Sequence, residues 1–272
     1  MNSWQQQYLA ALQTSPSTPT LDALRSLIRR HLHVFPFENI SKFRYYEHRG
    51  RSGLHWLPDI DTFLHHFEQH GLGGNCYILN YHFGQLLAAL GYQVDLVRAS
   101  GGNTHLALMV TLALDGQPYY VDVGYGAPLF EPLRLEEEPR FARYGEEVDI
   151  RRLAPRQFMI DRRTNGQSIV TKTIEWQPVS LDRFDDIITH SLRDEADNPF
   201  MRRITATRFQ DNAAYTVINN KLFVKKDSGT ELHAYTDEAD WIAMMRTTFR
   251  FDPAVLHESL VFLAARGVRL FD

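Results

Sequence analysis

The amino-acid sequence predicts an α+β protein of consecutive subdomains, and the spacing of its apolar residues supports this class. Over residues 1–90 the apolar positions recur about every 3.6 residues, which is typical of helices packed on a core. From residue 92 they alternate with the period of strands, and strand-like and helical segments are mixed toward the end of the chain. We therefore expect a helical subdomain at 1–90, a β subdomain at 91–195 and an α/β subdomain at 196–272.

The helices of the first subdomain have recognisable ends. One begins near residue 21 and must end before Pro36, because proline breaks a helix. A second covers residues 58–70 and is ended by Gly71, which can adopt the left-handed conformation of a helix C-terminus. The third runs from about Cys76 to Leu90 and carries one continuous apolar stripe. Cys76 is thus predicted in the first turn of a buried helix.

The remaining elements follow from the change of period. Residues 128–150 are rich in Pro, Glu and Arg and are predicted as a surface loop, and residues 181–194 as a short helix. Asp115-Gly116 is a hairpin turn signal. The predicted strands lie at 92–98, 105–114, 118–124, within 151–175, and at 203–209, 213–218, 221–226 and 230–235, and the closing helices at 237–248 and 253–265.

The composition excludes several classes of function. The formal net charge of −4 gives no general attraction to nucleic acid or to an anionic membrane. The sequence begins without a basic segment followed by an apolar one, so we expect a cytoplasmic protein without a secretory signal. No group of His, Cys and Asp residues has the spacing of metal ligands, and we expect no metal.

Cys76 is the single cysteine of the chain and follows Gly73-Gly74-Asn75. Most lone cysteines are small buried apolar residues, and this remains the alternative for Cys76. Two features favour a nucleophile instead. The glycines permit a sharp bend and close approach of a substrate, and a helix N-terminus favours the thiolate over the thiol.

A base and an orienting acid are available on one predicted hairpin. His105 begins one strand, and Asp122 stands in the apolar run of the other, where a buried carboxylate needs a partner. A two-residue turn at Asp115-Gly116 would pair residue 109 with 122, leaving Asp122 about 13 Å from His105 along the strand. A wider turn pairs residue 107 with 122 and leaves a diagonal that His and Asp can nearly span. We therefore expect the wider turn, or a bulge in the first strand.

These three residues suffice for acyl transfer through a covalent intermediate. Asp122 would orient His105, His105 would take the proton of Cys76, and the thiolate would attack an acyl carbonyl. Backbone N–H groups at the helix start would stabilise the oxyanion.

Four motifs follow one another in the first half of the chain: Phe35-Pro36-Phe37-Glu38-Asn39-Ile40-Ser41, Gly73-Gly74-Asn75-Cys76, Thr104-His105-Leu106 and Val121-Asp122-Val123-Gly124-Tyr125-Gly126. In order and spacing they resemble the motifs of the arylamine N-acetyltransferases. The resemblance is clear over residues 1–130 and weaker beyond them. It implies an N-terminal helical bundle, a central antiparallel β-barrel and a C-terminal α/β lid, with a core similar to that of papain-like and transglutaminase-like cysteine enzymes.

The resemblance also implies an activity and binding residues. The activity is ping-pong transfer of acetyl from acetyl-CoA to an aromatic amine, hydrazine or hydroxylamine, through a Cys76–His105–Asp122 triad. The partners would be a CoA thioester and a small amine, with no nucleic acid or membrane. Phe37 and Tyr125 match positions that line the acceptor pocket, and Phe200, near the lid, is placed with them. Thr104 and Gly126 are assigned to CoA binding.

The chain departs from the family pattern around the nucleophile. The family motif has Arg before the two glycines and Glu two residues after the cysteine, where this chain has Leu72 and Ile78. The family usually has Phe at the position of Tyr125. The motif's Arg is expected to pair with Glu38, which must here find another partner, be solvated or have a raised pKa. The triad can be carried over, whereas the usual substrate range cannot.

Three alternatives to the acetyltransferase remain open from the sequence. Some relatives resemble amide synthases that use a carrier-bound acyl chain, and these would favour a bulkier thioester. A cysteine hydrolase could use the same triad, and it would not depend on an amine acceptor. A binding protein on a retired enzyme scaffold would have a thiol that iodoacetamide labels slowly.

Overall fold

The computed structural model describes residues 2–50, 52–101, 104–114, 116–210 and 212–271. Most helices begin and end within about two residues of the predicted positions, the usual uncertainty of a helix end. The helices are α1 (Ser3–Ala11), α2 (Leu21–Val34), α3 (Ile40–His48), α4 (Ile60–His70), α5 (Cys76–Ala89), α6 (Asp185–Ser191), α7 (Pro199–Arg202), α8 (Glu238–Phe249) and α9 (Pro253–Ala264).

Every strand pair in the described residues is antiparallel, apart from an isolated parallel bridge between Phe37 and Gly74. The strands are β1 (Phe37–Glu38), β2 (Gln93–Ser100), β3 (His105–Thr111), β4 (Pro118–Val121), β5 (Arg140–Arg143), β6 (Glu146–Ala154), β7 (Gln157–Thr164), β8 (Gln167–Val179), β9 (Thr205–Gln210), β10 (Ala213–Ile218), β11 (Lys221–Lys226) and β12 (Gly229–Ala234).

The chain divides into two compact units, each with its own sheet. The first unit comprises Met1–Val34 and Cys76–Leu181, and the second Phe35–Asn75 and Asp182–Asp272. The α+β class predicted from the sequence is confirmed. The finer division at 1–90, 91–195 and 196–272 stays a prediction.

The first unit is built on a curled sheet with the strand order β4-β3-β2-β8-β7-β6-β5 in the described residues. The sheet is antiparallel and curled into a half-barrel, in agreement with the antiparallel β-barrel that the resemblance implied. α5 packs on β2 and β3, and the side chains of β3 from His105 to Val110 are all buried. A strand that is buried on both faces reads as a continuous apolar run, as Leu106–Val110 does.

The second unit is built on a sheet with the order β1-β9-β10-β11-β12. α3 and α9 pack together within this unit, with the rings of Phe43 and Phe262 stacked 4.3 Å apart. α4 ends at Gly71, whose φ of 71° is the left-handed conformation predicted for it. No helix in the described residues has the length and apolar character needed to cross a membrane.

The prediction of a surface loop over 128–150 is wrong in its second half. β5 and the start of β6 form a hairpin there, with Arg143 paired with Glu146. Tyr144 and Gly145 both have positive φ, of 54° and 69°, as a tight hairpin turn requires. Both strands carry many charged side chains, and β5 lies at the edge of the sheet. The segment therefore has the composition of a loop, although Val148 is buried. Asp115 of the predicted turn lies outside the described residues.

Gly71→Ala should destabilise the protein far more than Gly166→Ala, although both glycines have φ near 70°. A Cβ atom at Gly71 would lie 2.3 Å from the carbonyl oxygen of Arg250, whereas nothing lies within 4 Å of one at Gly166. We expect a loss of about 1 kcal/mol in the free energy of unfolding for Gly166→Ala, from left-handed strain alone, and more than about 3 kcal/mol for Gly71→Ala. Urea unfolding measures both, and equal losses would contradict the close approach.

Candidate active site

Cys76 is the first residue of α5, and its side chain is half-buried. The side chains that follow it in the first turn, Tyr77, Ile78 and Leu79, are buried in the unit's core. The helix is therefore fixed by apolar contacts, while the thiol at its amino end can still be reached by a reagent or a substrate.

Gly124 lets the chain that follows β4 pass directly against the start of α5. A Cβ atom at this position would lie 2.7 Å from Cys76 Cα and 2.7 Å from Asn80 Nδ2. Any larger residue would push the two segments apart. Glycine at position 124 thus allows the segment carrying Asp122 to lie beside the nucleophile.

The register of β3 and β4 is the one that the sequence required for a His105–Asp122 contact. Leu108 pairs with Val121, so residue 107 stands opposite Asp122 and the offset from His105 is two residues. His105 Nε2 lies 2.7 Å from Asp122 Oδ2, and both side chains are buried. The expectation of a connection wider than two residues is confirmed by this register.

Asp122 is held by four donors, which together occupy both of its oxygens. Oδ1 accepts hydrogen bonds from Asn80 Nδ2 at 2.8 Å and from the backbone N–H of Gly124 at 3.0 Å. Oδ2 accepts from the Tyr120 hydroxyl at 2.8 Å, besides its contact with His105. Hydrogen bonds of this number stabilise the ionised carboxylate in a buried setting.

Asn80 and Tyr120 lie in the candidate active site, and neither is among the residues predicted from the sequence. Asn80 also donates to the carbonyl of Leu106 at 2.7 Å and accepts from the N–H of Val123 at 2.8 Å, so one side chain ties α5 to β3 and to the chain after β4. A signal for it was available, because Asn80 lies one turn after Cys76 on a helix whose buried positions are mostly apolar.

The surroundings of His105 favour the imidazolium. Burial by itself lowers the pKa of His105, but the charge of Asp122 and the charge of Cys76, together with hydrogen bonds to both, raise it to about 10. At neutral pH the ring is therefore protonated, lying between a carboxylate and the sulfur.

Tyr125 and Gly126 are fixed by a buried ion pair. Arg162 donates to the carbonyl of Tyr125 at 3.1 Å and to that of Gly126 at 3.0 Å, and it pairs with Glu146 at 2.6 Å. The Tyr125 ring lies 5.1 Å from the ring of His105, and the Arg162 guanidinium lies 5.1 Å from the Tyr125 ring. Sequence reasoning missed Arg162 and Glu146, because they come from strands far from the motifs.

The other predicted binding residues lie as follows. Thr104 precedes His105 in the first unit, and its carbonyl accepts a hydrogen bond of 2.7 Å from the Tyr77 hydroxyl. Phe37 and Phe200 both belong to the second unit, where their rings meet edge to face at 6.5 Å. The structure thus brings the three predicted triad residues and Tyr125 together in one unit, and Phe37 and Phe200 together in the other.

Leu72 stands where the family motif has the arginine that is expected to pair with Glu38, and the structure shows how Glu38 is accommodated without it. Glu38 is completely buried in the second unit, and its Oε2 accepts a hydrogen bond of 2.8 Å from the backbone N–H of Ser41 in the first turn of α3. Burial raises the pKa of Glu38 to about 7, against the opposing effect of backbone N–H groups that include Ser41, Ile40 and Gly73. A raised pKa was one of the three outcomes expected from the loss of the motif's arginine.

No group of three or more His, Cys, Asp or Glu residues in the described part of the chain could hold a metal ion. A protein-family model described as N-acetyltransferase matches residues 20–254. The chain belongs to the arylamine N-acetyltransferase family. The family resemblance drawn from the four motifs is thereby confirmed.

Individual relatives are distant from the chain in sequence. The arylamine N-acetyltransferase of Mycobacterium tuberculosis is 26% identical over an alignment of 272 positions, gaps included, and this alignment covers 88% of this chain and 86% of that protein. Proansamycin X synthase of Amycolatopsis mediterranei is 35% identical over 125 residues, which cover 42% of this chain and 45% of that protein. The structure of the Mycobacterium marinum arylamine N-acetyltransferase in complex with CoA matches with a TM-score of 0.80 at 22% identity, over 96% of this chain and 97% of that one, and so shares its fold.

Glu38→Gln should remove a pH dependence of stability. The folded-state pKa of about 7 exceeds the ordinary value of 4.5, so the contribution of Glu38 to stability is largest below pH 4.5 and is lost as the pH rises from 4.5 through 7. Relative to the wild type, Glu38→Gln should gain about 2–3 kcal/mol in the free energy of unfolding between pH 4.5 and pH 8.

Urea unfolding at a series of pH values measures this difference. The exposed residue Glu136 provides a matched control, since Glu136→Gln should keep the wild-type dependence on pH. Parallel curves for Glu38→Gln and the wild type would show that Glu38 is not a buried carboxyl with a raised pKa.

Proposed function

We propose that the chain transfers the acetyl group of acetyl-CoA to the nitrogen of an aromatic amine or hydrazine, through an acetyl-cysteine at Cys76. The observation that carries this proposal is the 2.7 Å contact between His105 Nε2 and Asp122 Oδ2, with the raised pKa of His105 between Asp122 and Cys76. Membership of the arylamine N-acetyltransferase family supports the donor and the acceptor class.

In the first half-reaction the Cys76 thiolate attacks the thioester carbonyl. The bond from the acetyl carbon to the CoA sulfur breaks, and the His105 imidazolium gives its proton to the leaving CoA thiolate. Free CoA and acetyl-Cys76 result. The backbone N–H groups at the start of α5 are proposed to stabilise the tetrahedral oxyanion.

In the second half-reaction the amine attacks the acetyl carbon, and neutral His105 accepts the amine proton. The bond to the Cys76 sulfur then breaks, which restores the thiolate–imidazolium pair and releases the amide. Asp122 keeps the imidazole in one orientation through both steps, and it stabilises the charge each time the ring is protonated.

The assignment of binding residues stays part of the proposal. Phe37, Tyr125 and Phe200 are assigned to the acceptor, and Thr104 and Gly126 to CoA. The matching Mycobacterium marinum protein is described in complex with CoA, which supports a CoA thioester as the donor. A cytoplasmic location is proposed with it, because CoA thioesters are metabolites of the cell interior.

A second candidate is acyl transfer from a bulkier thioester. Over 125 residues the chain is 35% identical to a protein named as a synthase, Proansamycin X synthase, and it is 26% identical to the acetyltransferase of Mycobacterium tuberculosis. Leu72 and Ile78 also replace two charged residues of the family's nucleophile motif with apolar ones. This candidate requires the same thiolate chemistry and differs only in the acyl group.

Intact mass after incubation with acetyl-CoA alone tests the proposal. The wild type should gain the mass of one acetyl group, and adding an aromatic amine or hydrazine should discharge it. Cys76→Ser should gain nothing, and His105→Gln should acetylate at least about a hundredfold more slowly. His233→Gln, at a histidine exposed on β12, is the matched control and should behave as the wild type.

Other outcomes separate the alternatives. Acetylation that is lost to water as quickly without an amine as with one would identify a hydrolase. No acetylation, with a thiol that iodoacetamide labels rapidly, would contradict acetyl-CoA as the donor and favour the bulkier thioester. No acetylation together with slow labelling would identify a retired site.

A further inference from the structure

Lys172 is a lysine with an unusual place in the half-barrel. It lies on β8 and is only 9% exposed, although lysine is among the residues least often buried. Its Nζ donates a hydrogen bond of 2.7 Å to the carbonyl of Gly101, which precedes His105 by four residues. A buried ammonium requires a reason, because leaving water costs free energy that only nearby negative charge and hydrogen bonds can offset.

Strand register places Lys172 on the same face of the sheet as His105. His105 pairs with Ala99, and Ala99 pairs with Ile174, so the side chains of these three residues point to one face. Lys172 is two residues before Ile174 and shares that face. Two strand spacings and two residues along the strand separate the Cα atoms of Lys172 and His105 by about 12 Å. The long lysine side chain and the imidazole ring can span this gap from its two ends.

The charges on this face sum to zero only when Lys172 is included. A Cys76 thiolate, the His105 imidazolium and the Asp122 carboxylate together carry one uncompensated negative charge in a buried site. The Arg162–Glu146 pair on the neighbouring strands is neutral by itself. Burial lowers the pKa of Lys172, and the negative charges of Cys76 and Asp122 oppose that fall, so the ammonium lies within electrostatic reach of both.

We propose that Lys172 is the counter-ion of the Cys76–His105–Asp122 group, a positioning residue that balances the buried charge when Cys76 is a thiolate. Its hydrogen bond also fixes the carbonyl of Gly101, directly after β2. The proposal rests on Cys76 being the nucleophile of the proposed function. Removing the charge of Lys172 disfavours the thiolate, because the site then carries a net negative charge.

The test is the pH profile of Cys76 alkylation by iodoacetamide, with no CoA thioester present. Lys172→Met should move the midpoint of the profile up by about one pH unit and slow alkylation by about tenfold at pH values below the wild-type midpoint. Lys172→Gln, which keeps an N–H donor but no charge, should show the same shift. Lys172→Arg should stay within about twofold of the wild type, because it keeps the charge.

Lys221→Met, at an exposed lysine on β11, is the matched control and should leave the profile unchanged. Thermal unfolding of each variant separates a charge effect from a loss of structure. A wild-type midpoint in Lys172→Met or Lys172→Gln would overturn the proposal. A midpoint in Lys172→Arg that shifts as far as in Lys172→Met, with the same loss of thermal stability, would assign Lys172 a purely structural role and overturn it as well.

This experiment separates the failure of the inference from failure of the proposed function. Alkylation reports the state of the Cys76 thiol whether or not acetyl-CoA is the donor. If intact mass shows no acetylation while the profile shifts as expected in Lys172→Met, the counter-ion stands and the donor is wrong. If acetylation occurs and the profile does not shift, the proposed function stands and the counter-ion is wrong.

Discussion

The buried carboxylate of Asp122 is the constraint on which the described active-site geometry depends. A charge removed from water is tolerated only when its lone pairs are filled, and here His105, Tyr120, Asn80 and the N–H of Gly124 fill them. The donors come from different parts of the unit: His105 is the first residue of β3, Tyr120 lies on β4, Gly124 follows β4, and Asn80 lies on α5 one turn after the nucleophile. Satisfying one carboxylate therefore also fixes the relative positions of the base and the helix that carries the thiol.

Charge balance extends this constraint from structure to chemistry. Asp122 makes the protonated ring of His105 favourable, and the protonated ring in turn makes a neighbouring thiolate favourable. Because His105 and Asp122 are buried, these interactions are stronger than they would be at the surface, and they are in place before a substrate arrives. Lys172 completes the balance in the account proposed here. Leu72 and Ile78, which stand where the family motif has charged residues, leave these ionisable groups in place.

Sequence reasoning reached this site where the signal was local and failed where it depended on distant strands. The His105–Asp122 contact could be predicted, because a hairpin register follows from counting residues on two adjacent strands. The roles of Arg162 and Lys172 could not, since β7 and β8 reach the site through sheet pairings that no local pattern specifies.

The helix ends and the hairpin at residues 140–154 show the same division. Gly71 could be predicted as a helix end, because a left-handed residue is needed there and glycine adopts that conformation at little cost. β5 could not be recognised, since an edge strand that carries charge has the composition of a loop. Glu38 could be predicted only in part. The absence of the motif's arginine indicates that Glu38 needs another partner, solvation or a raised pKa, and the structure shows burial with a raised pKa.

The most direct test of the central claim is the protonation state of His105, measured by NMR from the nitrogen shifts of its ring between pH 6 and pH 10.5 and assigned by comparison with His105→Gln. The account predicts an imidazolium through neutral pH that loses its proton only near pH 10. In Asp122→Asn the ring should lose its proton at least about two pH units lower, because the negative charge beside it is gone. A wild-type ring that is neutral at pH 7.5 would contradict the account, since neither the buried carboxylate nor the thiolate would then hold the proton on His105.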